Sequence, residues 1–403
     1  MERESYIIYF DNASTSYPKP EEVVNGVNEL ICNSAGSSMR TANTEKVDII
    51  FKTRELVANI LNVKYPTSIV FTANATESLN SIIDGFLSEG DTVVTTAIEH
   101  NSVIRPLIRL KHEKGINIKW IKSDEFGYVN PDEVVKQVNE TTKLVIMNHA
   151  SNVTGMVQNI EKVGKALAKY PKVKFLVDAA QTLGHIPFDN EKVNADFISF
   201  TGHKGLLGIT GVGGYYINPQ INIRPLKVGG TGVLSELLVQ PAGSPLHYEA
   251  GTLNQVGIGS LYYGISHLNK VGIENISTSL LNKTNLLITK LKKLDHVTVY
   301  SKPNSVGIVS FNVDEVIPSR LSTFLLEDYD IKTRSGLMCA PFVHEFLGTN
   351  PYGCIRASLS IKNTEKDILD FVEAIRKVTQ NYNDIRNIRI PNIYSSPSIY
   401  NLD

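Results

Sequence analysis

The stretch KFLVDAAQTLGHIPFDNEKVNADFISFTGHKGLLG, residues 174–208, contains two short apolar runs that each lead into polar or ionisable residues. The first run, Lys174–Val177, is followed directly by Asp178, and the second, Phe197–Phe200, leads through a short glycine-containing segment to Lys204. Continuous apolar runs are typical of strands that are buried on both faces of a parallel sheet. The stretch therefore predicts two buried strands with chemistry-bearing side chains at their carboxyl ends.

The same arrangement occurs earlier in the chain. Short apolar runs lie at Ser68–Thr72, Thr92–Thr96 and Lys143–Met147, and amphipathic stretches such as Thr76–Leu87 and Ile160–Lys169 lie between runs. Strands that alternate with helices of this length predict βαβ units. We therefore expect an α/β fold whose large domain has a mostly parallel mixed sheet sandwiched by helices.

The pattern changes after about residue 260. A long helical stretch at Leu261–Lys293 precedes alternating segments at Val306–Val313 and Cys354–Leu359, and a helix follows from about residue 364 to 379. This order predicts a smaller α+β domain. The expected units are an N-terminal segment packing on the small domain (1–20), the large domain (21–260), the small C-terminal domain (261–380) and a tail (381–403).

Composition limits the location and the partners. Of 403 residues, 40 are basic and 41 acidic, so the net charge of −1 favours neither nucleic acid nor an anionic membrane as a partner. The three cysteines form no CxxC pair, and the N-terminus lacks the apolar core of a signal peptide. No apolar run reaches the roughly 18 residues of a membrane span. We expect a cytoplasmic protein.

Polar residues follow all five apolar runs. In open α/β sheets, ligands bind outside the carboxyl ends of the strands, so these side chains are expected to meet in one site. They are Thr76 and Glu77; Glu99, His100 and Asn101; Asn148, His149, Ser151 and Asn152; Asp178 and Gln181; and Thr201, His203 and Lys204.

Asp178 and Lys204 are the pair with the most specific chemistry. A partly desolvated lysine loses proton affinity and becomes nucleophilic, as a Schiff-base lysine requires. A lysine together with an aspartate that faces a pyridine nitrogen is typical of pyridoxal 5′-phosphate (PLP) sites. Taken alone, Asp178 is equally well interpreted as a helix cap, and Lys204 as a surface lysine beside a turn.

A phosphate site and a carboxylate site are also predicted. Thr76 opens a predicted helix, where backbone N–H groups bind phosphate, and Thr201 and His203 add donors. Arg356 begins an alternating segment and is suited to clamp a carboxylate with two hydrogen bonds. Thr76 as a plain helix cap and Arg356 in a surface ion pair remain alternatives.

The cysteines differ in their surroundings. Cys339 lies in TRSGLMCAP, close to Arg334 and on an expected exposed loop, which suits a reactive thiolate. An inert thiol or a disulfide with Cys354 is the alternative. Cys32 lies in an apolar run and is expected to be buried.

Other catalytic schemes lack their motifs. The chain has no GxxxxGKS/T loop, no GxGxxG after a strand, no GxSxG and no HExxH. His112, His247 and His344 have no spaced metal partners, and we interpret them as ordinary polar residues. No metal site is predicted.

Taken together, these motifs resemble those of the class V aminotransferase-like PLP enzymes of fold type I, and in particular the cysteine desulfurases of the SufS-like group. The resemblance runs from Tyr9 to Ile368. It is carried by YFDNASTSYPKP, TANATESLN, EHNSVIRPL, HASNVTG, VDAAQTLGHIPFD, FISFTGHKGLLG, YEAGTLN, RSGLMCAP and RASLSIKNTEKDI.

The resemblance implies a role for each matching residue. Lys204 would form the Schiff base with PLP, and His100 would stack on its ring. The other cofactor-binding residues would be Asp178 at the ring nitrogen, Gln181 at the ring hydroxyl, Ala75, Thr76, Thr201 and His203 around the phosphate, and Thr252 at the phosphate of a partner subunit in a homodimer. Asn152 and Arg356 would bind the carboxylate of L-cysteine.

The implied reaction converts L-cysteine to L-alanine. Cys339 would accept the sulfur as a persulfide and pass it to an acceptor protein or thiol. Many relatives carry a histidine directly before this cysteine, whereas this chain has Met338, which cannot relay a proton. Selenocysteine lyase, another class V lyase or aminotransferase, and a non-catalytic PLP-fold scaffold are the alternatives.

Overall fold

The computed structural model describes residues 7–33 and 48–380. Its strands are β1 (Ile8–Tyr9), β2 (Ile69–Thr72), β3 (Thr92–Thr96), β4 (Asn117–Ile121), β5 (Thr142–Asn148), β6 (Lys174–Asp178), β7 (Phe197–Thr201), β8 (Gly213–Ile217), β9 (Val297–Val299), β10 (Ile308–Val313), β11 (Ile331–Lys332), β12 (Arg334–Gly336) and β13 (Cys354–Ser358). Its helices are α1 (Glu21–Asn33), α2 (Ile49–Leu61), α3 (Ala75–Phe86), α4 (Asn101–Lys114), α5 (Pro131–Lys136), α6 (Ile160–Leu167), α7 (Asn190–Val193), α8 (Gln255–Val271), α9 (Ile273–Leu291), α10 (Pro318–Tyr329), α11 (Val343–Phe346) and α12 (Glu365–Gln380).

A seven-stranded sheet forms the large domain, in the order β2-β8-β7-β6-β5-β3-β4. Only β8 pairs antiparallel with its neighbours, so the sheet is mixed and mostly parallel, which confirms the expected fold class. Strands β3 and β7, both predicted from apolar runs, are buried along their whole length, and so is β8, which the sequence analysis did not identify.

Strand register brings the polar ends of neighbouring strands level. Asn148, the last residue of β5, lies opposite Asp178, and Asp178 lies opposite Ser199 of β7. Two helices begin at the same edge of the sheet. Asn74 caps α3 by accepting from the N–H of Glu77, and the imidazole of His100 caps α4. The carboxyl edge of the sheet therefore brings together polar side chains and the N-termini of α3 and α4.

The helical stretch predicted at Leu261–Lys293 consists of two helices. Gly272, with φ of 85°, separates α8 from α9, because glycine adopts this conformation without a steric cost. Helix α8 packs against α1 and α2, whereas α9 packs against β10 and α12. Residue 260, the expected domain boundary, thus falls inside α8.

The second domain is built on a four-stranded antiparallel sheet in the order β12-β13-β10-β9. The N-terminal segment reaches this part of the chain, since β1 pairs in parallel with β11. Its Ala13 N–H also donates to the hydroxyl of Ser358, at 2.9 Å. The predicted tail, 381–403, lies outside the described residues.

One prediction about the cysteines is wrong. Cys32 is exposed, because α1 buries the face that carries Val23 and Gly26, and Cys32 lies nine residues after Val23, half a turn around the helix. Cys354 of β13 is the buried cysteine. Within the described residues, no helix is long and apolar enough to span a membrane.

Candidate active site

A cavity of about 240 Å³ lies at the carboxyl edge of the large sheet. Its walls include the ends of β6 and β7, the starts of α3 and α4, and residues of the second domain. Eleven of the residues to which the resemblance gives a role line it: Ala75, Thr76, His100, Asn152, Asp178, Gln181, Thr201, His203, Lys204, Cys339 and Arg356. Among the other residues expected after the strands, Asn148 lines the cavity, whereas Glu77, Glu99, Asn101, His149 and Ser151 do not. Thr252 does not line this cavity and is exposed.

Lys204 and Asp178 are both buried at this edge. Burial lowers the pKa of the Lys204 amine to about 8, and the carboxylate of Asp178 opposes that shift. Burial raises the pKa of Asp178, opposed by the N–H of Ala180, which donates to its carboxylate at 3.0 Å, and by the Lys204 ammonium. The two buried groups stabilise each other's charged forms, and the lowered pKa makes the Lys204 amine available as a base near neutral pH.

The N-terminal segment holds the backbone immediately before Lys204. The carbonyl of His203 accepts hydrogen bonds from the backbone N–H and the hydroxyl of Ser16, at 3.0 and 3.1 Å. The Thr15 hydroxyl and the Lys19 amine also donate to it, each at 3.1 Å. Four donors converge on one carbonyl oxygen, so the peptide that carries Lys204 is firmly oriented.

His100 is neutral in this site. Burial, followed by the positive charges of Lys204 and Arg334, lowers its pKa to about 4. Its Nδ1 accepts from the N–H of Ser102 at 3.1 Å, which assigns the single proton to Nε2. The imidazole therefore caps α4 with one nitrogen and keeps an N–H donor on the other.

Arg356 lines the cavity and is buried, with 2% of its surface exposed. Its NH2 group donates to Asp11 at 2.9 Å and to Ser14 at 2.8 Å, and its NH1 donates to the carbonyl of Asn152 at 2.8 Å. Arg334 also donates to the Ser14 hydroxyl, at 2.9 Å. Two guanidinium groups thus converge on one serine, which creates a region of positive charge suited to a carboxylate.

Cys339 is an exposed free thiol on the turn that links β12 to α11. Its expected exposure is confirmed. Cys354 is also a free thiol, which excludes the disulfide considered between these two cysteines. Arg334 and Cys339 line the same cavity, so the thiol shares the site with a guanidinium group.

The sequence did not identify several residues that shape this site. Asp11 and Ser14 lie in the YFDNAS motif, but their partner Arg356 is about 340 positions later. His344, interpreted as an ordinary polar residue, is buried and bonded to the loop of Cys339. A histidine close to a candidate nucleophile was the only available signal.

A parallel sheet flanked by helices, with a buried lysine and aspartate at its carboxyl edge, defines an enzyme of the fold-type I class. The Aminotransferase class-V family model matches residues 8–371, and the chain belongs to that family. A probable cysteine desulfurase of Methanothermobacter thermautotrophicus is 34% identical over 92% of this chain and 94% of its own length. A probable cysteine desulfurase of Pyrococcus abyssi is 33% identical over 93% and 94%.

Solved structures show the same similarity. The apo structure of a cysteine desulfurase from Thermococcus onnurineus superposes with a TM-score of 0.87 at 31% identity, covering 93% of this chain and 95% of that one. A cysteine desulfurase from Escherichia coli gives a TM-score of 0.84 at 26% identity, with the same coverage. The likeness extends over nearly the whole chain and includes both domains.

The family implies PLP, and the residues of the cavity fit that group. Five buried polar atoms of its lining have no hydrogen-bond partner among the described residues: Asn148 Oδ1, Asn152 Oδ1, Thr201 Oγ1, His203 Nδ1 and Arg356 Nε. Buried polar atoms are rarely left unpaired unless a ligand or water completes them. The N-terminus of α3, the Lys204 amine and the Asp178 carboxylate supply donors for a phosphate, an aldehyde-reactive amine and a partner for a ring nitrogen.

Proposed function

We propose that this chain is a PLP-dependent cysteine desulfurase that converts L-cysteine to L-alanine and takes up the sulfur on Cys339. One observation carries the proposal: a buried amine, a buried carboxylate, a buried guanidinium and an exposed thiol line a single cavity, from Lys204, Asp178, Arg356 and Cys339. The amine and carboxylate suit PLP, the guanidinium suits an amino-acid carboxylate, and the thiol suits sulfur transfer. The curated relatives named as cysteine desulfurases support this assignment.

The cofactor would be held by residues from both edges of the cavity. When bound, PLP supplies an aldehyde that reacts with amines and an electron sink for charge at the substrate Cα. Lys204 would be its covalent attachment and His100 its stacking partner. The remaining contacts would be Asp178 at the ring nitrogen, Gln181 at the ring hydroxyl, and Ala75, Thr76, Thr201 and His203 at the phosphate.

We assign the orientation of the substrate to Arg356 and Asn152. Two features support assigning the substrate carboxylate to Arg356. The first is that its Nε has no hydrogen-bond partner among the described residues. The other is its fixed geometry, since Asp11 holds the guanidinium in place. Asn152 donates one amide hydrogen to the carbonyl of Met338 at 2.7 Å and keeps the second for the substrate.

Lys204 moves the substrate proton. With a pKa of about 8, its amine exchanges between the neutral and charged forms near neutral pH. A group with such a pKa is an efficient general base and acid. Lys204 therefore takes the proton from the substrate Cα and returns it later.

Cys339 carries the sulfur. Its thiolate attacks the sulfur of the substrate, an S–S bond forms and the substrate C–S bond breaks. The electron pair of that bond stays on the substrate carbon, which takes up a proton, so L-alanine leaves and Cys339 holds a persulfide. The exposure of Cys339 allows an acceptor protein or thiol to remove the sulfur. Three free thiols suit a reducing compartment such as the cytoplasm.

A homodimer would complete the site. Thr252 is exposed and outside the cavity of its own subunit, so its assigned phosphate contact requires a second copy. The preceding segment, 226–239, carries exposed apolar side chains, among them Val228 (72%), Leu238 (102%) and Val239 (73%). Apolar side chains this exposed favour a protein interface, and the continuity with Thr252 points to another copy of the chain.

The test is an assay of the purified protein with L-cysteine and an excess of a thiol reductant, which reduces the Cys339 persulfide and releases its sulfur as sulfide. Sulfide and alanine are both measured. The wild type should release both in equal amounts, and Lys204→Ala should lower the rate by about 10²–10⁴-fold. Cys339→Ala should abolish cysteine turnover, whereas Cys32→Ala should leave it unchanged. Unchanged cysteine turnover in Cys339→Ala would remove the thiol from the mechanism. Wild-type turnover of selenocysteine alone would assign a selenocysteine lyase.

A further inference from the structure

The loop that carries Cys339 has an unusual backbone. Met338 and Cys339 both adopt positive φ, 48° and 60°, in succession. Neither is glycine, and the left-handed conformation is strained for residues that carry a side chain. A strained conformation persists only where the surrounding structure holds it. The loop must therefore have contacts that fix it.

Three consecutive carbonyls of this loop accept hydrogen bonds. Leu337 accepts from the His344 side chain (3.2 Å) and from the backbone N–H of Ala340 (3.0 Å). Met338 accepts from the Asn152 side chain (2.7 Å), and Cys339 accepts from the Asn101 backbone (2.7 Å). Asn101 begins α4 directly after His100, and Asn152 lines the cavity. Asn152 thus belongs to the active site itself, and Asn101 directly follows a residue that lines it.

Of the two side chains that donate to this loop, His344 is the one outside the cavity. It is fully buried, and its Nδ1 lies 2.7 Å from the hydroxyl of Thr349. Because the carbonyl of Leu337 can only accept, the proton of the imidazole is on Nε2, and Nδ1 accepts from Thr349. Burial lowers the pKa of His344 to about 4, which keeps this arrangement neutral. The imidazole links Thr349 to the backbone two residues before the thiol.

We propose that His344 is a positioning residue that sets the reactive orientation of the Cys339 thiol through the carbonyl of Leu337. The proposal rests on the proposed function, because it assigns Cys339 as the sulfur acceptor. Replacing His344 should therefore change only the sulfur-transfer step at Cys339. The groups that we assign to PLP lie at the carboxyl edge of the large sheet and at the starts of α3 and α4, and the side chain of His344 bonds instead to Thr349 and Leu337.

The experiment compares His344→Leu with His344→Gln in the PLP-loaded full chain. Glutamine keeps an N–H donor and an acceptor, whereas leucine has neither. In a single turnover with L-cysteine, His344→Leu should form the Cys339 persulfide about 10- to 100-fold more slowly, the loss expected for a misplaced reacting group. His344→Gln should recover most of that rate. The absorbance change on substrate addition, and its dependence on cysteine concentration, should match the wild type in both variants.

A second readout needs no turnover. Alkylation by iodoacetamide, followed by mass spectrometry, gives the rate at Cys339 relative to the exposed Cys32 of the same molecule. His344→Leu should change this ratio, and Thr349→Val, which removes the orienting hydroxyl, should change it in the same direction. An unchanged ratio in both variants would overturn the proposal. If His344→Leu does not fold, Thr349→Val alone decides.

The two proposals fail differently. A wild type that forms no persulfide on Cys339 would refute the proposed function. The ratio of alkylation rates at Cys339 and Cys32 would still test whether His344 orients the thiol. Equal losses of cofactor binding, thermal stability and persulfide formation in His344→Leu, without rescue by glutamine, would show a purely structural role and refute the positioning role.

Discussion

The guanidinium of Arg356 and the carboxylate of Asp11 form a buried ion pair, with 2.9 Å between NH2 and Oδ1. The two residues are 345 positions apart in the sequence. The carboxylate holds in place the side chain that we assign to the substrate, and the Ser14 hydroxyl donates to the same carboxylate at 2.7 Å. The N-terminal segment is thus a structural part of the active site.

Removing Asp11 should destabilise the protein. In Asp11→Ala the charge of Arg356 stays buried without a partner, and such a change costs about 3–5 kcal/mol of unfolding free energy. Urea unfolding of the PLP-loaded protein measures this difference. Asp132→Ala is the matched control, because Asp132 pairs with Lys162 on the surface and exposed pairs contribute about 1 kcal/mol or less. Equal effects in the two variants would contradict the role of Asp11.

Glu99→Gln should change the pH dependence of stability. The carboxyl group is buried next to Thr96 and Asn148, and burial raises its pKa from 4.5 to about 8, with a further contribution from Asp178. The folded state therefore binds this proton more tightly than the unfolded state does. The stability that it contributes is fully present below pH 4.5 and is lost as the pH rises to about 8.

The glutamine variant cannot lose this proton. From pH 5 to 8, the free energy of unfolding of the wild type should fall relative to Glu99→Gln by up to about 1.4 kcal/mol for each pH unit. Urea unfolding at several pH values measures the two curves. Parallel curves would mean that Glu99 does not titrate in this range.

Gly184→Ala should displace Lys204. Gly184 has φ of +89°, and an added Cβ would lie 2.3 Å from the carbonyl of Gly205, the residue after Lys204. The backbone must shift, so PLP should be released faster during dialysis, as followed by its absorbance. Gly90→Ala is the control, since its φ is +75° but nothing lies within 4 Å. That variant should lose only about 1–2 kcal/mol of stability and retain PLP.

Leu238→Asp should weaken the dimer. Leu238 is fully exposed in the single chain, so the substitution leaves the fold of the subunit intact while placing a charge in the proposed interface. Sedimentation velocity should show a larger monomer fraction than in the wild type, together with weaker PLP binding. Leu369→Asp, at an exposed position of α12, should behave like the wild type. A wild type that is monomeric at all concentrations would refute the dimer.

The large sheet and most of the cavity lining could be predicted from the sequence because their signals are local. Each buried parallel strand is a continuous apolar run, and the residues after it lie at the carboxyl edge. Asp178 and Lys204 were identified in this way. The resemblance to a known family supplied roles that no local pattern contains, such as that of Thr252.

Long-range contacts could not be predicted in this way. Nothing in YFDNAS indicates that Asp11 pairs with Arg356, or that four donors from the N-terminal segment meet on the carbonyl of His203. The division between α8 and α9 was missed because a single glycine at 272 interrupts an otherwise continuous helical pattern. Cys32 was expected to be buried because its neighbours are apolar, but α1 packs through its other face.

The ion pair of Asp11 with Arg356 also sets when the enzyme becomes competent during its own synthesis. A ribosome adds roughly 5–20 residues per second, so Asp11 is made roughly 20–70 s before its partner. Until β13 leaves the ribosome, the N-terminal segment has neither its arginine nor the serine, Ser358, to which Ala13 donates. A growing chain could complete the large sheet and its lysine pocket well before it could hold an amino acid there.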